Sequence, residues 1–171
     1  GATGDIGRRL ATHLSDAAAR LTLVARSTQP LEALAADLGA HAVPADLTDR
    51  DTLRSLIRDV EQAHGPVDVL VNNAGTETVG HLTHLSADDL EHLLALNLLA
   101  PVELCRQVLP GMTARGRGHL VNISSLAGVA TFPGLATYGA TKAGLTHFTS
   151  GLRADLRVRA FVGNRNFASR Y

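Results

Sequence analysis

The sequence predicts a doubly wound α/β domain, in which one parallel sheet carries helices on both faces. Short apolar runs alternate with segments of helical periodicity along the chain, and no two apolar runs are joined by a hairpin turn. The length of 171 residues suits one domain, and 45% apolar with 19% charged residues is ordinary for a globular protein. We therefore expect a single domain over the whole chain.

The first half of the chain alternates three helices with two strands. Apolar residues recur every fourth position from Ile6, which predicts a helix. Pro30 suits the start of a second helix and Gly39 its end, while Thr48 with Asp51 resembles a capping pair. The predicted elements are, in order, helix 6–19, strand 21–25, helix 30–38, strand 41–45 and helix 48–64.

The second half contains two strands and two long helices. Ser86 and Asp89 have the spacing of a capping box and open a helix that continues to about residue 113. Pro101 should kink or interrupt this helix, because proline lacks a backbone donor. The predicted elements are strand 67–71, helix 86–113, strand 119–123 and helix 137–157.

Charge and cysteine content exclude several classes of protein. Basic and acidic residues number 16 each, so the chain has no net charge and a nucleic-acid partner is not expected. The single cysteine, Cys105, excludes an internal disulfide and fits a reducing, cytoplasmic compartment; we interpret it as a buried apolar residue rather than a nucleophile. The apolar stretch 93–105 contains polar residues and a proline, so no membrane span is expected. No metal is expected either, because His81, His84 and His92 lack a completing ligand set.

The chain opens with Gly1-Ala2-Thr3-Gly4-Asp5-Ile6-Gly7, directly before the first helix. Glycines allow the backbone to approach a pyrophosphate closely, and a helix N-terminus offers free N–H groups and a partial positive charge. The loop therefore indicates a dinucleotide site, with a plain tight turn as the alternative.

Position 26 indicates which dinucleotide would bind. In such units an acidic residue about 20 positions past the glycines holds the ribose 2′-hydroxyl of NAD. Here Arg26 occupies that position, at the end of a predicted strand. An arginine can form a forked pair with a 2′-phosphate. We therefore expect NADP(H) to be preferred over NAD(H); the alternative is that Arg26 is a solvated surface residue.

Tyr138 and Lys142 are spaced i and i+4, so they share one face of the last helix. A free tyrosine holds its proton too tightly for exchange near neutral pH, and a nearby ammonium group favours the phenolate. The pair is therefore a candidate acid/base for interconverting an alcohol and a ketone, with an ordinary surface pair as the alternative.

Polar loops follow two of the predicted strands. Ser124 and Ser125 follow strand 119–123, and Asn72-Asn73-Ala74-Gly75 follows strand 67–71. Ligands of parallel α/β sheets bind beyond the carboxyl ends of the strands. A serine hydroxyl at this edge could hydrogen-bond a substrate oxygen, while an ordinary strand-end turn is the alternative.

Together these motifs resemble those of the classical short-chain dehydrogenase/reductase family. The resembling motifs come in family order from Gly1 to about Arg157: the opening glycine loop, Ala45-Asp46-Leu47, the double-asparagine loop, Asn97, Val121-Asn122-Ile123-Ser124-Ser125 and Tyr138-x-x-x-Lys142. The resemblance implies a Rossmann-like fold, hydride transfer between NADP(H) and a small carbonyl or alcohol substrate, and a homodimer or homotetramer.

The resemblance also implies a role for each site residue. Tyr138 would protonate the carbonyl oxygen, Lys142 would favour the phenolate and bond the nicotinamide ribose, and Ser125 would polarise the carbonyl. Asn97 would hold a water that links Lys142 to solvent, and Asp46 would contact the adenine ring. The remaining cofactor contacts would come from Tyr138 itself and from Gly1, Thr3, Gly4, Asp5, Ile6, Gly7, Arg26, Leu47, Asn73, Ala74 and Gly75.

The chain departs from the family pattern in its loop and at its ends. Gly4 followed by Asp5 gives the loop spacing of the family's extended branch, whose members include epimerases. No strand precedes Gly1, and the sequence after Arg157 has no place as the family's sixth strand. We therefore expect that a first strand and a substrate-binding segment are missing from the sequence, with a hidden junction near residues 157 and 158.

The sequence thus predicts an NADP(H)-dependent oxidoreductase acting on a secondary alcohol or ketone, such as a 3-oxoacyl reductase working in the reductive direction. Acyl-thioester, steroid-like and simple ketone substrates all remain open. One alternative is a sensor or structural protein that binds NADPH without turnover. Another is an epimerase of the extended branch, which only Gly4 and Asp5 favour.

Overall fold

A computed structural model describes the backbone of residues 1–163 and the side chains of residues 1–156. The strands in this part of the chain are β1 (Thr22–Ala25), β2 (His41–Pro44), β3 (Val69–Asn72) and β4 (His119–Asn122). The α-helices are α1 (Asp5–Asp16), α2 (Thr28–Leu38), α3 (Arg50–His64), α4 (Ala87–Leu94), α5 (Ala100–Arg115) and α6 (Ala136–Gly163). A π turn (Ala95–Leu99) joins α4 to α5, and 3-10 turns lie at Leu82–His84 and Leu126–Gly128.

The four strands pair in parallel, as the alternation of elements predicts, but they form two separate two-stranded sheets rather than the single sheet expected. In one pair β1 lies beside β2, with Thr22 opposite His41; in the other β3 lies beside β4, with Val69 opposite His119. A cavity of 470 Å³ separates β1 from β3. The opening loop bridges the pairs at their carboxyl ends. The N–H of Ala2 donates to the carbonyl of Val24 at 3.1 Å, and the Asn73 side chain donates to the carbonyl of Gly1 at 3.0 Å.

Helices cover both faces of the β1–β2 pair, which confirms the doubly wound arrangement. Successive side chains of a strand point to opposite faces. Leu23 and Ala25 accordingly pack into one core cluster with residues of α1 and α2. Val24 and Val43 instead pack against a second, larger cluster built from α3, the π turn and α5.

The β3–β4 pair is covered on one face within the described residues. Leu70 and Leu120 pack against the larger cluster. Val69 and Val121 are 50% and 40% exposed, because neither α1 nor α2 reaches this part of the sheet. Helices α3, α5 and α6 therefore position the carboxyl ends of β3 and β4.

One continuous helical segment runs from Ala87 to Arg115 through the π turn. The capping box predicted at Ser86 and Asp89 is confirmed, with both reciprocal bonds present. The interruption predicted at Pro101 is also confirmed, since this proline stands in the first turn of α5 directly after the π turn.

By length and composition alone the helical segment Ala87–Arg115 could cross a membrane, which was not expected from the sequence. It is also typical of a core helix, and its residues Leu93 and Val108 are at most 1% exposed.

Some predicted boundaries are wrong by a few residues. Helix α1 ends at Asp16 rather than 19, because Ala18 adopts a left-handed φ of 58°. Helix α2 begins before Pro30, which therefore lies inside the first turn, where a missing N–H costs nothing. Asp49, not Thr48, caps α3, because the helix begins only at Arg50 and the Asp49 carboxylate accepts the N–H of Thr52 at 2.8 Å.

Helix α6 continues past the predicted end at residue 157 to Gly163. The junction expected near residues 157 and 158, the first strand and the substrate-binding segment stay predictions. Cys105 is fully buried, as interpreted from the sequence. Residues 164–171 lie outside the described part of the chain.

The capping box of α4 gives a test of the fold. The Ser86 hydroxyl accepts the N–H of Asp89 at 3.1 Å, so Ser86→Ala leaves that donor without its partner. We expect a loss of about 1 kcal/mol in the free energy of unfolding, measured by urea denaturation of the full-length protein. Ser86→Thr keeps the acceptor and should lose much less. Equal stability of the parent and Ser86→Ala would contradict the capping assignment.

Candidate active site

A groove of 460 Å³ lies at the carboxyl ends of β1 and β3. Its walls contain ten of the residues that the sequence analysis assigned to a cofactor, namely Gly1, Thr3, Gly4, Asp5, Ile6, Arg26, Leu47, Asn73, Ala74 and Gly75. Gly7, Asp46, Tyr138 and Lys142 do not line the groove. The predicted cofactor residues thus come together from four separate parts of the chain.

The glycine loop forms a tight backbone cradle at the start of α1. Gly7 is buried, and a Cβ atom there would overlap the carbonyl oxygen of Gly1. A Cβ atom on Gly1 would lie 2.7 Å from the backbone nitrogen of Ala74. The Asn73 side chain fixes the loop by donating to the Gly1 carbonyl at 3.0 Å. Such a cradle, with the free N–H groups of α1 beside it, fits the pyrophosphate of a dinucleotide.

Arg26 and Asp46 lie beside the groove with different environments. Arg26 directly follows β1 and is exposed on the groove wall, where its guanidinium can meet an anionic ligand. Asp46 accepts the backbone N–H of Thr48 at 2.9 Å as well as its hydroxyl. These two hydrogen bonds, with the charge of Arg26, lower the pKa of the Asp46 carboxyl. Its Oδ1 atom therefore holds a turn, and the predicted adenine contact stays a prediction.

Helix α6 brings Tyr138 and Lys142 to one face, as their spacing predicts. The Lys142 ammonium lies 5.9 Å from the centre of the Tyr138 ring. Lys142 is only 5% exposed, and its ammonium donates to the carbonyl of Ile123 at 2.9 Å, at the end of β4. Burial lowers the pKa of Lys142 below that of a free lysine. The cation is thus held at a fixed place between a strand end and a half-buried phenol.

Ser125 begins the 3-10 turn that follows β4. Its hydroxyl oxygen accepts the N–H of Ala127 at 3.2 Å. The hydroxyl proton makes no hydrogen bond to any of the residues that the structure describes, so it can be donated to a ligand. The loop is pressed against α6, since a Cβ atom on Gly139 would lie 2.8 Å from the Ala127 carbonyl. This packing holds Ser125 beside the helix that carries Tyr138.

Asn97 lies fully buried in the π turn, a feature often found at functional sites. Its side-chain amide donates to the carbonyl of Thr76 at 2.8 Å and accepts the N–H of the same residue at 2.9 Å. Asn97 Oδ1 and Lys142 Nζ both face Gly75, whose Cβ would lie 3.2 and 3.4 Å from them. One lone pair of Oδ1 is left for the predicted water, and this role stays a prediction.

Several contacts of the site were not predicted from the sequence. The Ser124 hydroxyl bonds to the Lys142 carbonyl at 3.2 Å and to the Thr146 hydroxyl at 2.7 Å, which fixes α6 to the end of β4. Deeper in the core, Asn72 donates to Asn122 at 2.8 Å and joins β3 to β4. The threonines of α6 were the available signal for these contacts, because threonine is a poor helix former and its hydroxyl seeks a hydrogen-bonding partner.

This arrangement contains two hydroxyl groups that could donate a hydrogen bond to a ligand. Ser125 offers a free hydroxyl proton, and Tyr138 offers a phenol beside a buried cation. A carbonyl oxygen that gains negative charge is stabilised by such donors, and the phenol can complete the proton transfer. No three histidine, cysteine, aspartate or glutamate side chains among the described residues cluster as metal ligands.

The fold and the groove define a dinucleotide-binding α/β domain with a tyrosine–lysine pair at its strand ends. The chain belongs to the short-chain dehydrogenase family, whose family model matches residues 1–162. Members of this family are oxidoreductases that bind nicotinamide cofactors. The resemblance drawn from the sequence motifs is therefore confirmed.

Individual relatives are similar over most of this chain. The ketoacyl reductase HetN of Nostoc sp. is 37% identical over 161 residues, which cover 91% of this chain and 56% of HetN. Nodulation protein G of Rhizobium sp. is 36% identical over 166 residues, which cover 96% of this chain and 68% of that protein. The chain thus spans little more than half of the length of HetN.

Solved structures agree with the fold. A metagenomic short-chain oxidoreductase in complex with NADP superposes with a TM-score of 0.88 and 37% identity, over 92% of this chain and 74% of that one. A short-chain dehydrogenase from Sphingobium yanoikuyae in complex with NADPH superposes with a TM-score of 0.87 and 34% identity. The match covers 92% of this chain and 64% of that one. These likenesses confirm the predicted Rossmann-like fold.

Gly75 gives a test of the packing in the site. An alanine methyl group would press on Asn97 Oδ1, which is already held by Thr76, and on the Lys142 ammonium. We expect Gly75→Ala to lower the free energy of unfolding of the full-length protein by about 1–3 kcal/mol. Gly80→Ala is the matched control, because its methyl group would meet open space; it should change stability by less than about 1 kcal/mol. Equal effects of the two changes would contradict the packing described for Asn97 and Lys142.

Proposed function

We propose that this protein is an NADP(H)-dependent oxidoreductase that interconverts a secondary alcohol and a ketone, working as a carbonyl reductase. The observation that carries the proposal is the buried Lys142 ammonium, which lies beside the Tyr138 ring and bonds the carbonyl of Ile123, two residues before Ser125 and next to the dinucleotide groove. When bound, NADPH supplies the hydride that reduces the carbonyl carbon.

The side chains of the site would act in a fixed order. The Ser125 hydroxyl donates a hydrogen bond to the substrate carbonyl oxygen and places it beside the phenol. As the carbonyl carbon receives hydride, the oxygen becomes negative and takes the proton of Tyr138. The Lys142 cation favours the phenolate that this transfer leaves. Asn97 keeps its proposed part in returning a proton from solvent through a bound water.

Arg26 supports a preference for NADP(H) over NAD(H). It stands at the end of β1 on the groove wall, and a guanidinium there suits a 2′-phosphate better than a 2′-hydroxyl. The relatives solved with NADP and with NADPH are consistent with this choice.

A 3-oxoacyl substrate is supported by names among the relatives. HetN is a ketoacyl reductase, and a structural relative with a TM-score of 0.83 and 35% identity is a putative betaketoacyl-ACP reductase. The same fold is shared with a bulky-bulky ketone specific alcohol dehydrogenase of Comamonas testosteroni, at 30% identity. The proposal therefore centres on carbonyl reduction, with a 3-oxoacyl compound as the first substrate to try.

We also propose a homodimer or homotetramer that forms through the long helices in a cytoplasmic setting. Leu94 and Leu99 support this assembly, because they are 42% and 51% exposed along the outer face of the helix that contains the π turn. Pairing of such helices would cover these apolar side chains.

Tyr138→Phe tests the proposed function. The substitution removes the proton donor and keeps the ring, so turnover should fall by roughly 100-fold or more, while NADPH affinity stays near that of the parent. The measurement follows NADPH absorbance with the full-length protein and a panel of ketones that includes 3-oxoacyl thioesters.

Two outcomes of this measurement would count against the proposal. NADPH consumption that Tyr138→Phe leaves unchanged would remove Tyr138 from catalysis. NADPH binding by the parent without consumption of any substrate would favour the non-catalytic alternative.

Arg26→Asp tests the cofactor preference. The change removes the guanidinium and places a negative charge near the expected 2′-phosphate, so NADPH should bind roughly tenfold or more weakly, with little loss for NADH. Dissociation constants for both cofactors measure this by titration. Arg20→Asp is the matched control, because it makes the same charge change before the opposite end of β1. An unchanged ratio of the two constants in Arg26→Asp would exclude the proposed role.

A further inference from the structure

Thr141 is almost completely buried, at 1% exposure, in the turn of α6 between Tyr138 and Lys142. Its hydroxyl donates to the carbonyl of Tyr138 at 2.7 Å and accepts the side-chain N–H of Asn97 at 3.2 Å. The first bond is common for a threonine inside a helix. The second is a tertiary contact, and it ties this turn of α6 to the π turn.

The bond to Asn97 continues into the loop after β3. The Asn97 amide pairs with both backbone groups of Thr76, at 2.8 and 2.9 Å. The preceding residue, Gly75, leaves room for the Lys142 ammonium, because a Cβ there would be 3.4 Å from Nζ. A chain of contacts thus runs from the backbone of Tyr138 through Thr141 and Asn97 to the loop beside Lys142.

A hydroxyl group at position 141 is necessary for this chain of contacts. The Asn97 side-chain nitrogen carries two hydrogens, of which one goes to Thr76 and the other to Thr141. An apolar side chain at 141 would leave a buried donor without a partner, which is unfavourable inside a protein. Asn97 would then shift to find another acceptor, and the turn of α6 would lose its tertiary anchor.

We propose that Thr141 is a positioning residue for the Tyr138–Lys142 pair. Acting through Asn97, it holds the turn of α6 that carries both side chains, so that the Lys142 ammonium stays on the Ile123 carbonyl and at a fixed distance from the phenol. The inference rests on the proposed function, because it assigns Thr141 to the same reaction. Removal of the hydroxyl should lower the rate of proton transfer and leave the dinucleotide groove intact.

The chain offers a matched control on the same helix. Thr149 donates to the carbonyl of Leu145 at 2.7 Å and accepts the side-chain N–H of Asn122 at 2.9 Å. It therefore makes the same two kinds of bond as Thr141, about 12 Å further along the helix axis. A change to valine removes equivalent hydrogen bonds at both positions, and only position 141 is joined to Asn97.

The experiment compares Thr141→Val, Thr141→Ser and Thr149→Val in the full-length protein. Alcohol oxidation by NADP+ is measured as a function of pH. For Thr141→Val we expect kcat to fall roughly tenfold or more, and the acidic limb of the pH profile to move to higher pH, because a displaced ammonium favours the phenolate less. Thr141→Ser should restore both kcat and the profile, and Thr149→Val should keep them while losing thermal stability.

Three results would overturn the inference. The first is a parental kcat and pH profile in Thr141→Val, and the second is a shifted profile in Thr149→Val. The third is a Thr141→Ser variant that behaves like Thr141→Val. If Thr141→Val does not fold, Thr141→Ala is measured with the same expectations. A parent without any turnover would contradict the proposed function itself, whereas an active parent with an unchanged Thr141→Val contradicts only the role of Thr141.

Discussion

A lysine side chain that is 5% exposed must find acceptors for its ammonium group inside the protein, and at Lys142 the last carbonyl of a strand supplies one. Burial of a cation costs several kcal/mol, whereas one hydrogen bond to a charged group returns about 1.5–3 kcal/mol. The Ile123 carbonyl therefore offsets only part of this cost, and burial lowers the pKa of Lys142 accordingly. The fold therefore keeps the Lys142 ammonium in an unfavourable, buried environment. Titratable groups with perturbed pKa values of this kind are commonly found at functional sites.

The rest of the site follows from where that cation is fixed. The end of β4 contributes the Ile123 carbonyl and then Ser125, and the loop after β3 contributes Asn73 and Gly75. The π turn adds Asn97 between them. Parallel strands bring these ends to one edge of the sheet, because every crossover helix returns the chain in the same direction. The proposed chemistry and the dinucleotide groove are therefore consequences of one topology.

Sequence reasoning found the parts of this protein that depend on local patterns. The alternation of elements, the capping box at Ser86 and the shared face of Tyr138 and Lys142 all follow from periodicity and spacing. Asn97 and Asp46 came only from the family resemblance, since nothing local marks them. The cap at Thr48 was wrong because the helix begins one residue later than expected, so the carboxylate of Asp49 accepts the helix N–H instead.

The contacts of Thr141 and Ser124 could not be predicted in this way. Thr141 bonds to the side chain of Asn97, and Ser124 bonds to the backbone carbonyl of Lys142. In both cases the partner is distant in the chain, and no spacing or periodicity of residues predicts the bond. Helical threonines suggest that such bonds exist, but only the packing of α6 against β4 and the π turn shows their partners.

The most direct measurement of the central claim is a crystal structure of the full-length protein with NADP+ and an unreactive ketone or alcohol analogue. The account predicts one ligand oxygen within about 3.2 Å of both the Ser125 and Tyr138 hydroxyls, with the Lys142 ammonium still bonded to the carbonyl of Ile123. A ligand oxygen bound away from these hydroxyls, or a Lys142 side chain turned out to solvent, would contradict it.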